Sequence, residues 1–231
     1  MNLARRALAT SSLALALACS KPASATASKP APAAFPAGTV LVMNDVPIRA
    51  DEVEELASEY AMLEPHDTPT QLRRIALSLT IFPRIAAAAI DAGRRAGAQK
   101  LAEAYRAELG NGDMPPGPLT GPMENEHTGA FADLGFDFWR MAKDLQPGSW
   151  SPVFEAPGCF YVLRVKTRKE GSLPSLTRLT IGTFAFPYLD AATAQADIEA
   201  ALDRSRLTIL DDTWRDAVPA ALRYRFHVES P

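Results

Sequence analysis

The sequence predicts an α+β protein behind an export signal. Three observations carry that expectation. Short β-like apolar runs are interspersed with helical periodicities, no βαβ unit repeats along the chain, and hydrophobic residues make up 47% of 231 residues, enough for a real core. The formal net charge of −3 argues against an electrostatically driven nucleic-acid partner. Nineteen prolines imply several breaks and linkers.

The first 18 residues read as an export signal. Arg5 and Arg6 precede a run of small and apolar residues over 7–18, too short for the ~20 residues a membrane-spanning helix needs. The run closes on Ala18 and Cys19, which resembles a bacterial lipoprotein signal. That resemblance implies cleavage before Cys19, its lipidation, and a membrane contact through the lipid anchor. Ser20 leans to the outer membrane by similarity to lipoprotein sorting rules in a Gram-negative host. The alternative is a plain secretory signal with an incidental cysteine. Residues 20–37 are rich in Pro, Ala, Ser and Lys and cannot bury enough surface to order themselves, so 19–37 reads as a lipidated cysteine and a tether. With Cys19 assigned, Cys159 stands alone, which leaves no internal disulfide; it reads as a small, partly buried hydrophobe.

The folded part opens with a strand over 40–43 and a turn at Asn44-Asp45. Asp51 is expected to cap a helix whose apolar face carries Val53, Leu56, Tyr60 and Leu63. Thr68-Pro69 starts a second helix with Leu72, Ile75, Leu79 and Phe82 on one face. Pro83 is expected to break it, and a third helix runs over 84–109. Residues 110–131 read as a long Pro/Gly-rich loop in which Glu124, Glu126 and His127 are solvated. A helix over 136–145, a turn at Gln146-Pro147-Gly148 and strands over 151–154 and 160–166 follow. The last part reads as a strand over 176–186, a helix capped by Asp190 and running to 202, a strand over 207–210, and a helical turn carrying Trp214 and Val218. Strict alternation of Leu222, Tyr224, Phe226 and Val228 with polar residues predicts a final half-buried strand.

Two stretches resemble the exported parvulin-type (PpiC and SurA-like) prolyl isomerases and periplasmic foldases. In "VLVMNDVPIRADEVEELASEY", Asn44, Asp45, Ile48 and Glu52 fill the family's entry pattern. In "DLGFDFWRMAKDLQPGSWSPVFEAPGCFYVLRVKTRKEG", Asp133, Leu134, Gly135, Ala142, Leu145, Gly148, Ser151, Pro152 and Val153 match in order. The resemblance implies a SurA-like helical part over 38–112, a partial parvulin-like domain over 113–171 and a C-terminal strand–helix–strand segment over 172–231 packed with the helices. Two family features are missing. No strand with the family's histidine is expected between Leu109 and Asp133; the run 176–186 has a similar texture but follows the parvulin-like half. The second histidine of the family falls on Tyr161.

Parvulin-like catalysis makes no covalent bond. It lowers a rotation barrier of ~18–20 kcal/mol about an X–Pro bond by gripping the proline and favouring the twisted amide. The resemblance therefore assigns a polar set, Tyr161, Ser151 and Asp133, and a peptide-gripping set, Phe136, Phe138, Trp139, Met141 and Phe160. By position in the pattern Phe138, Met141 and Tyr161 face the groove, while Trp150 and Phe154 are core. No phosphate loop, metal-spaced His/Cys set or nucleophile elbow is present, so no cofactor or metal is expected. The expected partners are unfolded or extended polypeptide segments. The function is that of an envelope foldase with weak or absent isomerase activity; the alternative is a non-catalytic assembly lipoprotein docking one partner.

Overall fold

Strand β1 (Thr39–Met43) turns at Asn44-Asp45 into β2 (Val46–Arg49). Both turn residues are left-handed, with φ of 50° and 65°, the conformation a two-residue hairpin needs and one that Asn and Asp tolerate. The computed structural model to which these elements belong describes residues 35–63, 65–109, 124–225 and 227–229. The export signal, Cys19, most of the tether and residues 110–123 lie outside the described residues. Helix α1 (Ala50–Ala61) begins at once after β2, so Asp51 lies inside its first turn and is not its cap. Thr68 does cap α2 (Pro69–Ile75): its hydroxyl accepts from the Gln71 N–H, and the Gln71 side chain accepts in return from the Thr68 N–H.

Pro83 does not end that helix. The chain widens into a π-helical stretch (Ala76–Ile81) and continues as α3 (Phe82–Ile90). The wider turns have already shifted the hydrogen-bond partners, so the missing N–H of Pro83 falls where the α-helical ladder is interrupted. The break comes at Asp91, whose φ and ψ of −147° and 83° leave the helical region. Its carboxylate accepts from the Arg94 N–H at 2.8 Å, which starts α4 (Ala92–Leu109).

The remaining elements are β3 (Asn125–Gly129), α5 (Phe131–Leu134), α6 (Phe136–Ala142), β4 (Phe154–Ala156), β5 (Cys159–Lys169), β6 (Arg178–Pro187), α7 (Ala194–Asp203), β7 (Arg206–Ile209), α8 (Ala220–Arg225) and β8 (His227–Glu229). The protein is α+β, with two four-stranded sheets in the orders β2-β1-β7-β8 and β3-β6-β5-β4. All pairings are antiparallel except β7 with β8. The alternation over 222–228 does not make one strand. Pro219 starts a helical turn instead, its carbonyl accepting from the Leu222 and Arg223 N–H groups at 3.0 Å, and only the last residues pair with β7.

Two expectations about the second sheet are corrected. A strand does stand between Leu109 and Asp133, namely β3. The expected boundary at 171/172 falls between β5 and β6, which pair from Cys159↔Pro187 to Lys169↔Arg178. Thus β6 lies between β5 and β3, central in the sheet, and residues 35–231 form one unit. The sheet divides the apolar interior. On one face Leu163, Val165, Leu179 and Ile181 meet Leu134 and Ala142 of α5 and α6. On the other, Phe160, Val162, Phe184 and Phe186 join the larger core with Tyr105 of α4, Trp150, and Val40, Leu41 and Met43 of β1.

Candidate functional site

The candidate site lies on the α6 side of the second sheet. Register fixes its composition: Tyr161 pairs with Phe154 on β4 and with Ala185 on β6, while His127 on β3 pairs with Ile181. Residues 181, 183 and 185 share one face of β6, so His127 and Tyr161 point to the same side of the sheet. Helix α6 lies over that side and places Phe138 between them. The Phe138 ring is edge-on to Tyr161, with centroids 4.9 Å apart at 79°, and edge-on to Phe154 at 6.0 Å and 86°. It lies nearly parallel to the His127 imidazole at 5.9 Å and 23°. Phe154 and Tyr161 stack at 5.8 Å and 27°. Phe138, Met141 and Phe154 are each half-buried against the small core beneath. Edge-to-face rings at such spacings hold one another rigid while leaving an apolar, polarisable surface.

Burial raises the titration of the phenol, the thiol and the carboxyl in and behind this cluster. Burial pushes the Tyr161 hydroxyl well above the ordinary tyrosine range, with the nearby Cys159 thiol and the Asp137 charge adding to it. Burial likewise raises the Cys159 thiol, and its Sγ–H donates to the Phe160 carbonyl. A thiol so placed is a hydrophobe and not a nucleophile. The Asp137 carboxyl is pushed up to about 6 by burial, against the opposing pull of Arg140 and Arg84.

The polar residues assigned by resemblance separate. Ser151 is fully buried; its hydroxyl accepts from the Leu163 N–H at 3.0 Å and donates to the Pro152 carbonyl at 2.7 Å. It fastens the segment before β4 to β5. Asp133 is exposed, and its carboxylate accepts from the Ala130 N–H at 3.0 Å beneath Gly129, where an added Cβ would sit 2.3 Å from that of Asp133. It shapes the turn into α5. Tyr161 alone of the three stands in the aromatic cluster. The apolar set also divides. Trp139 is 2% exposed and is core, its ring meeting Phe131 edge-on at 5.8 Å. Phe160 is 4% exposed and lies on the opposite face of β5, beside Tyr188 and under the Arg95 guanidinium. Phe136 turns back onto Tyr60, their rings stacked at 3.7 Å. Phe138 and Met141 remain at the site, and Phe154 joins them at its edge.

Sequence reasoning missed His127. Every residue from Asn125 to Thr128 is polar, so no apolar period marks β3. The ion pairs across the other face of the sheet would have been the signal. Glu124 reaches Arg164 and Lys166 at 3.2 Å, and Glu126 reaches Lys166 at 2.7 Å, so neither glutamate is merely solvated. A second set of contacts holds β4 in place. Arg95 of α4 grips Glu155 through two bonds of 2.7 and 2.6 Å, and the buried Tyr188 hydroxyl donates to the same carboxylate at 2.9 Å.

Among the described residues, an antiparallel sheet carries an aromatic patch on its α6 side. The comparisons make the class specific. The model of the PPIC-type PPIase domain matches residues 54–178, more than half of the chain, from within α1 to the first residue of β6. The chain belongs to this parvulin-type family. Comparison with curated proteins and with solved structures finds no match.

Proposed function

We propose that this protein is an envelope foldase that holds extended, proline-containing segments of other polypeptides in the groove walled by Phe138, Met141, Phe154 and Tyr161. The carrying observation is the mutual ring packing around Phe138 on the face of β5 that presents Tyr161. Half-buried aromatic and thioether side chains grip proline rings without demanding one sequence. Isomerase activity is weak or absent. The polar half of the family's site needs two groups facing the twisted amide, and Ala185 stands directly opposite Tyr161. Ala185 has no polar atom to offer. The N-terminal sequence supports export, lipidation at Cys19 and a position on the periplasmic side of a membrane, by the resemblance of residues 1–19 to a lipoprotein signal.

Isothermal titration of the full chain with a short capped peptide carrying one Ala–Pro bond tests the reading. Phe138→Ala should weaken binding at least about tenfold, equivalent to ~1.4 kcal/mol, while circular dichroism stays unchanged. Equal affinity in the variant sinks it. A second reading, docking of one specific partner, draws on a different surface. Exposed Met62 and Leu173 border a cavity of about 310 Å³ that Trp139 and Leu179 also line. A foldase should suppress aggregation of several unrelated clients; a docking protein should suppress none.

A further inference from the structure

Between β5 and β6 the chain makes a short loop that is both braced and apolar. Thr177 is buried; its hydroxyl accepts from the Gly171 N–H at 3.3 Å and donates to the Glu170 carboxylate at 3.1 Å. The Leu176 N–H donates to the Leu173 carbonyl at 3.0 Å. Gly171 lies so close to the far side of the loop that an added Cβ would sit 2.5 Å from the Leu176 carbonyl carbon, so a glycine is needed to close it. The loop nonetheless leaves Leu173 and Leu176 exposed. Leu173 and the exposed Met62 at the end of α1 border the cavity of about 310 Å³ described above. Exposed apolar side chains gathered in one place mark contact surfaces, and a braced loop loses little freedom when it is covered.

The charges around that cavity have a direction. Lys143, at the C-cap of α6, pairs with Asp144, and Arg168 of β5 pairs with Glu170. The Arg168 guanidinium also donates to the Lys143 carbonyl, which ties β5 to the end of α6. In each pair the cation is the inner member: the Lys143 and Arg168 side chains are 20% and 25% exposed, those of Asp144 and Glu170 82% and 68%. All four line the cavity. An approaching chain therefore meets carboxylates at the rim and apolar side chains, Trp139 and Leu179 among them, within. A second copy of this chain fits poorly, because an isologous contact sets the same carboxylates against themselves. We propose that this cavity docks a partner polypeptide segment that inserts an apolar side chain and flanks it with lysine or arginine. Apolar anchors seated in a pocket supply most of the energy of such contacts, and complementary rim charges supply selectivity. This rests on reading the cavity as a docking surface and gives that surface its class of partner; it does not depend on the Phe138 groove.

The test titrates the full chain with three capped, proline-free peptides: a Trp-Leu core between paired lysines, the same core between paired glutamates, and a Ser-Ser core between paired lysines. The lysine-flanked Trp-Leu peptide should bind at least about tenfold tighter than either control. Leu173→Ser should weaken it about tenfold, and Asp144→Lys should cut its preference over the glutamate peptide several-fold. Both positions are exposed, so the urea midpoint should not move; if Leu173→Ser does unfold the protein, Asp144→Lys decides. No binding of the lysine-flanked Trp-Leu peptide, binding equal to that of either control, or wild-type behaviour of both variants overturns the proposal. Loss of that peptide in Phe138→Ala places it in the groove, which also overturns the proposal and leaves the groove reading intact. Failure of the Ala–Pro peptide to bind wild type removes the groove reading and leaves this one standing. Suppressed aggregation of several unrelated clients that is lost in Leu173→Ser sinks the docking reading itself, a result the short peptides do not mimic.

Discussion

Asp137→Asn should stabilise this protein near neutral pH and flatten its pH dependence. Asp137 lies in the first turn of α6 directly before Phe138, and burial lifts its carboxyl from 3.8 to about 6. A raised folded pKa means that the native state prefers the protonated carboxyl. The ionised form is therefore a cost above about pH 6, relieved as pH falls toward the unfolded value. Moving a carboxyl from 3.8 to about 6 corresponds to about 3 kcal/mol at neutrality. Between about pH 7 and pH 5 the relief is roughly 1 kcal/mol. Asparagine removes the charge but still places a polar amide in a mostly buried position, which costs about 1–3 kcal/mol where its partners are incomplete. The expected net gain near pH 7 is about 1 kcal/mol. Neutralising Asp137 does not strand its cationic neighbours: Arg84 keeps its ion pair with Glu52, and Arg140 keeps Glu55 and Glu59. Carboxylates pulled below their ordinary range, Asp51, Glu126, Glu170 and Asp211, lose their contribution only as pH falls below the usual carboxylate values, so they leave the pH 5–7 window clear. Urea unfolding followed by tryptophan fluorescence at several pH values measures the effect. A variant less stable than wild type near pH 7, or one that keeps the wild-type slope between pH 7 and 5, refutes the argument.

Two further substitutions probe how the groove is held. Glu155→Ala leaves Arg95 and the Tyr188 hydroxyl without their shared carboxylate; because the Arg95 side chain is 33% exposed, the loss should be about 2–3 kcal/mol, below the 3–5 kcal/mol of a fully buried pair, read from the urea midpoint. Thr68→Ala removes the hydroxyl half of the α2 cap, leaving the backbone N–H of residue 68 to the Gln71 side chain, and should cost about 1 kcal/mol, with peptide affinity unchanged, since the cap lies on no element of the groove.

Elements with a local physical cause were legible in the sequence. The Asn44-Asp45 turn follows from two residues that tolerate a left-handed backbone, and the Thr68-Pro69 start follows from a cap, a reciprocal Gln71 and a proline at the first helical position. Pro83 and the 222–228 alternation misled for a common reason. Each is a local rule with two outcomes, and neighbouring geometry chose between them: a π-helical stretch before Pro83, and a proline-started helical turn at 219. Trp139 and Phe160 misled differently. Their types fit a groove, but α6 and β5 each have two faces, and the sequence alone does not say which one looks inward.

The site itself divides along the same line. Tyr161, Phe138 and Met141 are close in sequence and bound to a pattern, and the structure gathers them. The place of His127 beside them could not be read from periodicity, because sheet order creates it. Strand β6 follows β5 in the chain yet sits between β5 and β3, so residues 127 and 161, on strands that are not neighbours, meet over one phenylalanine. An edge strand needs no apolar alternation to form when its opposite face is tied by Glu124 and Glu126 to Arg164 and Lys166. The same ion pairs that hide β3 from a periodicity search are what hold His127 in place.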